Sequence, residues 1–367
     1  MDLDFQTRTV REGLVDLLVP DIDPRPGPGT RSGLPFYNPS MTVARDISVL
    51  LAASSAPPGG RVLDGLAAAG ALGLRIAREA GREVVLNDKN PRAVALIRRN
   101  LERNGVADAT VLGEDLNEHL ADHHYDLVEV DPFGSPVPFL DTALRSANRG
   151  TSLSATATDT AVLCGAKPEA AWRRYLARVR HTDAYPEIGT RILLGYIVRN
   201  AARFDKAPEP ILAYAAEHFV KVHVRIFEGA ARADRALASL GWVRFDPGTG
   251  GHEVLPEDVP PEAIGPLWLG PLADREVLDG VRTTPAIGHA ASRILDRVRG
   301  EAGLPPFFWD NNAMARRAGV SPPRLLRILE ALRELGFRAV PTHFRENAFR
   351  TDATPQAVLG LYRRIGG

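Results

Sequence analysis

Val62-Leu63-Asp64-Gly65-Leu66-Ala67-Ala68-Ala69-Gly70-Ala71-Leu72-Gly73-Leu74-Arg75 reads as an apolar strand closed by an acid, a turn of small residues and the start of a helix. Upstream, the pattern predicts a short strand pair over 10–19, a Pro/Gly-rich loop over 20–35 and a helix over 46–53. Downstream it predicts a helix over 72–80, a strand over 84–88 and a helix over 91–104. Pro91 falls in the first turn of that helix, where a missing N–H does least harm. Strands at 111–112 and 125–130, a helix over 139–147 and a strand over 150–156 complete the series. Strands alternating with helices at these spacings imply a doubly wound α/β sheet with a mainly parallel core.

After Asp205 the pattern changes. A helix is predicted over 211–219, a half-buried strand over 221–227 and a helix over 231–240, followed by a Gly/Pro-rich section over 246–271. Helices over 312–318 and 322–335, joined by Gly319-Val320-Ser321-Pro322, suggest a helix-turn-helix or winged-helix end. The expected division is therefore 1–205 and a smaller α+β C-terminal domain, 206–367.

At 367 residues, 44% hydrophobic and 25% charged, the composition is that of an ordinary globular protein. Net charge is zero, so nothing global announces a nucleic-acid partner. Its distribution is uneven: from residue 316 onward, ten arginines face four acids. Lysine is confined to Lys89, Lys167, Lys206 and Lys221. An arginine bias suits bidentate phosphate contacts, and equally reflects genome composition. One cysteine, Cys164, excludes an internal disulfide framework and a cysteine-rich zinc site, and fits a reducing cytoplasm. No apolar stretch reaches a membrane span, and the acidic start Met1-Asp2-Leu3-Asp4 lacks a signal-peptide core.

Asp64, Gly70 and the helix after them can receive a nucleotide-like cofactor at a helix N-terminus. The turn is not the G-x-G-x-x-G fingerprint, because Asp64 and Ala68 stand where bare backbone would approach a pyrophosphate. A nucleoside cofactor without a pyrophosphate needs a less strict turn. Taken alone, such a turn occurs in many α/β proteins. Asp88, about 20 residues on at the end of the second strand, is placed for both ribose hydroxyls. Asp115, with Leu116 after it, ends the third strand and suits an adenine amino group. Asp131 ends the fourth. A single strand-end acid is usually a helix cap; four in register exceed what capping explains.

Asp131 opens Asp131-Pro132-Phe133-Gly134-Ser135-Pro136-Val137-Pro138-Phe139-Leu140-Asp141. Its carboxylate can accept from an amino group, Pro132 fixes φ, and Phe133 offers a face for stacking a base. This string closely resembles the tRNA guanosine-26 N2-dimethyltransferase family. So do Phe36-Tyr37-Asn38-Pro39-Ser40-Met41-Thr42-Val43-Ala44-Arg45-Asp46, Thr156-Ala157-Thr158-Asp159, Tyr185-Pro186-Glu187-Ile188-Gly189-Thr190-Arg191, Gly265-Pro266-Leu267-Trp268-Leu269-Gly270-Pro271 and Thr342-His343-Phe344 with Thr351-Asp352. The resemblance spans about 34–354.

It implies a Rossmann-like class I methyltransferase domain followed by a tRNA-binding domain, with S-adenosyl-L-methionine as donor and tRNA as partner. Asp131 would accept the N2–H of guanine and Phe133 would stack the ring, with the target flipped out of its helix. Pro132, Gly134 and Asp159 would border the substrate, or Asp159 would orient the loop. Arg45 would reach the methionine carboxylate. Leu72 departs from the second arginine expected of relatives, and Arg75, one turn on, can substitute. Some relatives carry a cysteine-bound metal before the Pro-Leu-Trp-Leu-Gly block. Phe245-Asp246-Pro247-Gly248-Thr249-Gly250-Gly251-His252 has no cysteine, so a metal-free hairpin is expected. His343, Phe344 and Arg345 would join the Arg-rich tail against a tRNA backbone, and Arg173, Arg174, Arg178 and Arg180 would extend that surface. An amino-methyltransferase for another RNA or for DNA, or a non-catalytic RNA-binding module, remains the alternative reading.

Overall fold

A computed structural model describes residues 3–21, 33–55, 59–256 and 259–366. The chain opens with an antiparallel hairpin, β1 (Thr7–Glu12) and β2 (Val15–Pro20), followed by α1 (Thr42–Ser55). Most of the loop expected over 20–35 lies outside the described residues. The alternating series then runs β3 (Arg61–Asp64), α2 (Ala71–Arg75), β4 (Glu83–Asn87), α3 (Pro91–Asn104), β5 (Thr110–Leu112) and α4 (Leu116–Asp122). It continues with β6 (Leu127–Val130), α5 (Val137–Ser146) and β7 (Ser152–Ala157). Helices α6 (Thr160–Leu163), α7 (Pro168–Tyr175) and α8 (Tyr185–Ala202) lead into β8 (Lys206–Ala216) and β9 (Phe219–Glu228).

These strands form one seven-stranded sheet in the order β5-β4-β3-β6-β7-β9-β8. β3 to β7 are parallel, and β9 runs antiparallel to both β7 and β8. The strand order reverses between β3 and β6, so their C-terminal ends form the switch point where such sheets bind ligands.

The helix expected over 211–219 is instead part of β8. Ile211-Leu212-Ala213-Tyr214-Ala215 is buried throughout, and a continuous apolar run has no period to separate strand from helix. Pairing with β9 overrides the helix preference of its alanines. The expected division at 205/206 falls just before these strands, and the sheet runs past it to Glu228.

The N-terminal hairpin is held to the sheet layer by side chains that complete its backbone bonding. Asn100 on α3 accepts from Leu18 N and donates to Leu18 O and Ala69 O, and Asn104 does the same for Asp16 N and O. Each carboxamide thus satisfies a donor and an acceptor of a strand edge that would otherwise lack partners.

Past Glu228 come α9 (Ala230–Ala238), β10 (Leu240–Phe245), β11 (His252–Leu255), β12 (Ile264–Trp268), α10 (Arg275–Gly280) and α11 (His289–Glu301). The chain ends with β13 (Trp309–Asp310), α12 (Asn311–Ala318), α13 (Leu325–Glu334), β14 (Ala339–Pro341), β15 (Ala348–Thr351) and α14 (Pro355–Gly366). β10 and β11 form the expected hairpin. Gly319, at φ 72°, ends α12 in the left-handed region that allows the tight turn toward α13. With the β13-β15-β14 sheet and α14 around one apolar core, this end is winged-helix-like, as expected.

Charges buried between α8 and this end tie it down. Glu187 accepts from Phe307 N and Phe308 N and pairs with Arg191 at 2.8 Å and Arg350 at 2.9 Å. Arg350 also pairs with Glu301 at 2.8 Å, as does His343. His343 and Phe344 are therefore buried in this joint rather than presented to a nucleic acid. Arg345 pairs with Asp310 and lies over Tyr185. Burial alone would raise both glutamates, but the arginines, with His343 beside Glu301, outweigh it and hold each at about 2. Their folded-state values lie below the ordinary 4.5, so their stabilisation is complete above that pH and lost on acidification toward about 2. Arg350→Met, leaving Glu187 and Glu301 uncompensated, is expected to destabilise by about 3–5 kcal/mol in chemical denaturation at neutral pH. Circular dichroism should show wild-type acid unfolding confined to the window below about pH 4.5.

Candidate active site

Parallel pairing lines up the strand ends, so Asp88, Asp64 and Asp131 leave β4, β3 and β6 at one edge, with Asp115 beyond β5. Asp64 is buried and accepts from Gly73 N in α2 at 3.0 Å. Burial, reinforced by the charge of Glu129, pushes its carboxyl up to about 7. Gly70 precedes α2 at φ 78°, and a side chain there would meet Leu74, Ile97 and Leu86. Asp88 accepts Ala68 N on one oxygen and Asn90 N on the other, each at 2.9 Å. Each oxygen keeps a further lone pair, which suits a pair of ribose hydroxyls. Burial raises its pKa. Asp115 caps α4 through Asn117 N and stands 3.8 Å from Lys89 Nζ.

The loop after β6 is fixed from below. Gly134, at φ 82°, donates to Thr158 Oγ1 and accepts from Thr158 N, both at 2.8 Å. Ser135 Oγ bonds the Tyr175 hydroxyl, which donates to Asp159; Arg174 holds the other Asp159 oxygen. Asp159 thus lies beneath the loop, joined to Ser135 through the Tyr175 hydroxyl. Asp131 is half-buried, while Phe133 is 39% exposed beside Pro132. Burial raises the Asp131 pKa, and Lys221 opposes it.

Phe36 meets Phe133 edge to face, 4.6 Å between ring centres. Sequence reading placed Phe36 in a family block without a role. Only the fold reveals that an aromatic 97 positions away in the chain closes on the loop.

Three expected cofactor contacts lie elsewhere. Arg75 is fully buried, with Nη1 on Glu12 and Asp46 and Nε on Glu79. Every edge of that guanidinium is engaged, so it clamps the N-terminal hairpin and does not replace the arginine missing at Leu72, itself buried in the core. Leu116 is buried beneath the turn, where a side chain on Gly65 would meet its methyl groups. Arg45 donates to both oxygens of Glu12, at 2.7 and 2.6 Å, and packs on Tyr37. Its head is thus turned to the hairpin.

The model of the N2,N2-dimethylguanosine tRNA methyltransferase family matches residues 30–363. The chain belongs to this family. A relative from Methanoculleus marisnigri named tRNA (guanine(26)-N(2))-dimethyltransferase is 39% identical, covering 95% of this chain and 97% of its own length. One of the same name from Thermococcus kodakarensis is 38% identical over 97% of this chain and 99% of that protein. The solved complex of Trm1 from Pyrococcus horikoshii with S-adenosyl-L-methionine superposes with a TM-score of 0.87 at 36% identity, covering 96% of this chain and 99% of that one. The fold is thus the Rossmann-like methyltransferase fold of that protein, extended by its C-terminal part.

Tyr175→Phe deletes one hydroxyl that ties Ser135 to Asp159 without removing the buried ring. A lost hydrogen bond of about 1 kcal/mol in the loop support is expected to lower methyl transfer several-fold. Calorimetry should find donor binding unchanged.

Proposed function

We propose that this protein transfers methyl groups from S-adenosyl-L-methionine to the exocyclic N2 of guanosine at position 26 of tRNA, twice in succession. The observation that carries the reading is Asp131, half-buried at the switch point, beside the partly exposed Phe133, whose ring Phe36 meets edge to face. The names and identity of the relatives support the reaction and its substrate. When bound, the donor supplies a methyl group on a sulfonium. Asp88 binds the ribose hydroxyls, Asp115 the adenine amino group, and the turn between Asp64 and Gly70 receives the rest.

Phe133 stacks the flipped guanine, and Phe36 braces that ring edge to face. Asp131 accepts one N2–H and localises the amine lone pair, which is otherwise delocalised into the ring. It takes or relays the proton that leaves as the N–C bond forms. The position of a side chain on Gly134 opens onto free space, which leaves room for a methyl already present.

The part beyond Glu228 binds tRNA. Arg316, Arg324 and Arg327 along the helix-turn-helix, with Arg363 and Arg364 on α14, are exposed and supply the phosphate contacts. No helix among the described residues is long and apolar enough to cross a membrane. The single cysteine, buried and free, supports work in the cytoplasm.

Asp131→Ala is expected to lose transfer to unmodified tRNA by about 10²-fold or more. Titration calorimetry should find donor affinity retained. Unchanged turnover would remove Asp131 from the chemistry, and absence of N2-methylguanosines at position 26 by mass spectrometry would remove the substrate.

A further inference from the structure

The face of the sheet covered by α1 carries polar side chains for which the reaction above has no use. Register sets Asp64 beside Glu129, Glu129 beside Ser154 and Ser154 beside His223. The next row sets Thr156 beside Lys221 and Lys221 beside Tyr214. Asp131 follows Val130, the partner of Ala155, and so stands at the head of β6 two residues beyond Glu129, level with Thr156. Paired residues in adjacent strands point to one face, so these side chains converge behind the loop.

Lys221 is fully buried, and its ammonium lies 3.0 Å from Glu129 Oε2. His223 Nε2 and the Tyr214 hydroxyl are buried around them with no hydrogen-bond partner among the described residues, while Ser154 stands on Glu129 and Thr156 on Asp131. A buried ion pair in so open a polar setting is poor value as a stabiliser, since apolar side chains of similar volume commonly do as well or better. Its place directly behind Asp131 gives it another use.

We propose that Lys221 is a positioning residue for methyl transfer: from inside the sheet its ammonium holds the Asp131 carboxylate ionised and aimed at the base, and Glu129 sets how much of that charge Asp131 feels. The proposal rests on Asp131 being the acceptor of the amine proton.

Other groups facing Asp131 supply less of the charge. Burial pushes His223 down to about 3, so it is neutral. Tyr214 on β8, raised by burial, is neutral too. Arg45 on α1 favours the ionised Asp131 less than Lys221 does and spends its donors on Glu12, and its neighbour Asp46 is paired with Arg75. Thr156 lends Asp131 a hydrogen bond but no charge. Glu129 on β6 adds negative charge, and Asp64 on β3, raised by burial to about 7, adds it only when ionised. Among the described residues, Lys221 is the cation that acts most strongly on Asp131.

The test is the pH profile of kcat for methyl transfer to unmodified tRNA by the full chain at saturating donor. Asp131 works ionised, so activity falls on the acid side as it protonates. Lys221→Met is expected to move that acid limb upward by about 1 pH unit or more. Glu129→Gln, which removes the like charge and leaves the lysine, is expected to move it downward. An unmoved limb in Lys221→Met, or a shift of both variants in one direction, overturns the proposal. Should Lys221→Met fail to fold, judged by thermal unfolding and donor binding, Glu129→Gln decides alone: a downward shift supports the role, and an unmoved or raised limb overturns it. Asp131→Asn, run beside them, separates the two claims. If it stays active, the catalytic reading has failed. If it is dead while the limbs do not move, only the role of Lys221 has failed.

Discussion

Like charges brought together on one sheet edge repel, and that repulsion shapes most of this molecule. Parallel strands put the buried Asp64 and Glu129 and the half-buried Asp131 within reach of one another, where their mutual repulsion is poorly screened. Lys221 compensates part of it from β9, on Glu129. On the same face, the one α1 covers, Arg45 and Arg75 converge on Glu12 from the hairpin, and Arg75 also holds Asp46 and Glu79. Asp64 is left with its proton near neutrality, which relieves the rest.

This explains why the hairpin matters to a site it does not line. Gly13 turns so close to Arg75 that any side chain there would collide with the guanidinium and with Glu79. Its φ of 55° also favours glycine. The hairpin, α1 and the cofactor turn are thus one charged joint. Disturbing Glu12 would unsettle α2, whose Gly73 N–H holds Asp64. The antiparallel β9 serves the same face of the sheet from beyond β7. It brings Lys221 and His223 from a part of the chain that lies after the methyltransferase motifs, which makes the sheet longer than the motif series implied.

What the sequence disclosed follows from locality. The β–α alternation, the strand-end acids and the Asp-Pro-Phe-Gly loop are each contained within a dozen residues, and pattern reads them directly. Arg75 and Arg45 were misjudged because their partner Glu12 lies 63 and 33 residues upstream, beyond any window of periodicity. A basic side chain near a cofactor turn looks the same in sequence whether it faces a ligand or a buried glutamate. β8 was missed for the converse reason, because an apolar run buried on both faces carries no period at all. Phe36 and Lys221 needed the tertiary fold, since nothing local marks either as adjacent to Asp131.

The arginines of the tail divide in the same way. As a count they suggest a uniformly basic nucleic-acid surface. Folded, several are consumed internally: Arg317 on Asp183, Arg345 on Asp310 and Arg350 on two glutamates. A guanidinium buried against a carboxylate has given up its waters and donors to that partner, and a phosphate would have to displace it. Arginines free to meet a phosphate are those whose side chains remain in water, and these gather on α12, α13 and α14. The same residue type therefore does two separate tasks in this half. Buried arginines fix how the winged end sits on α8, and so where it lies relative to Asp131. Exposed ones then act from a surface whose distance to the site is already set.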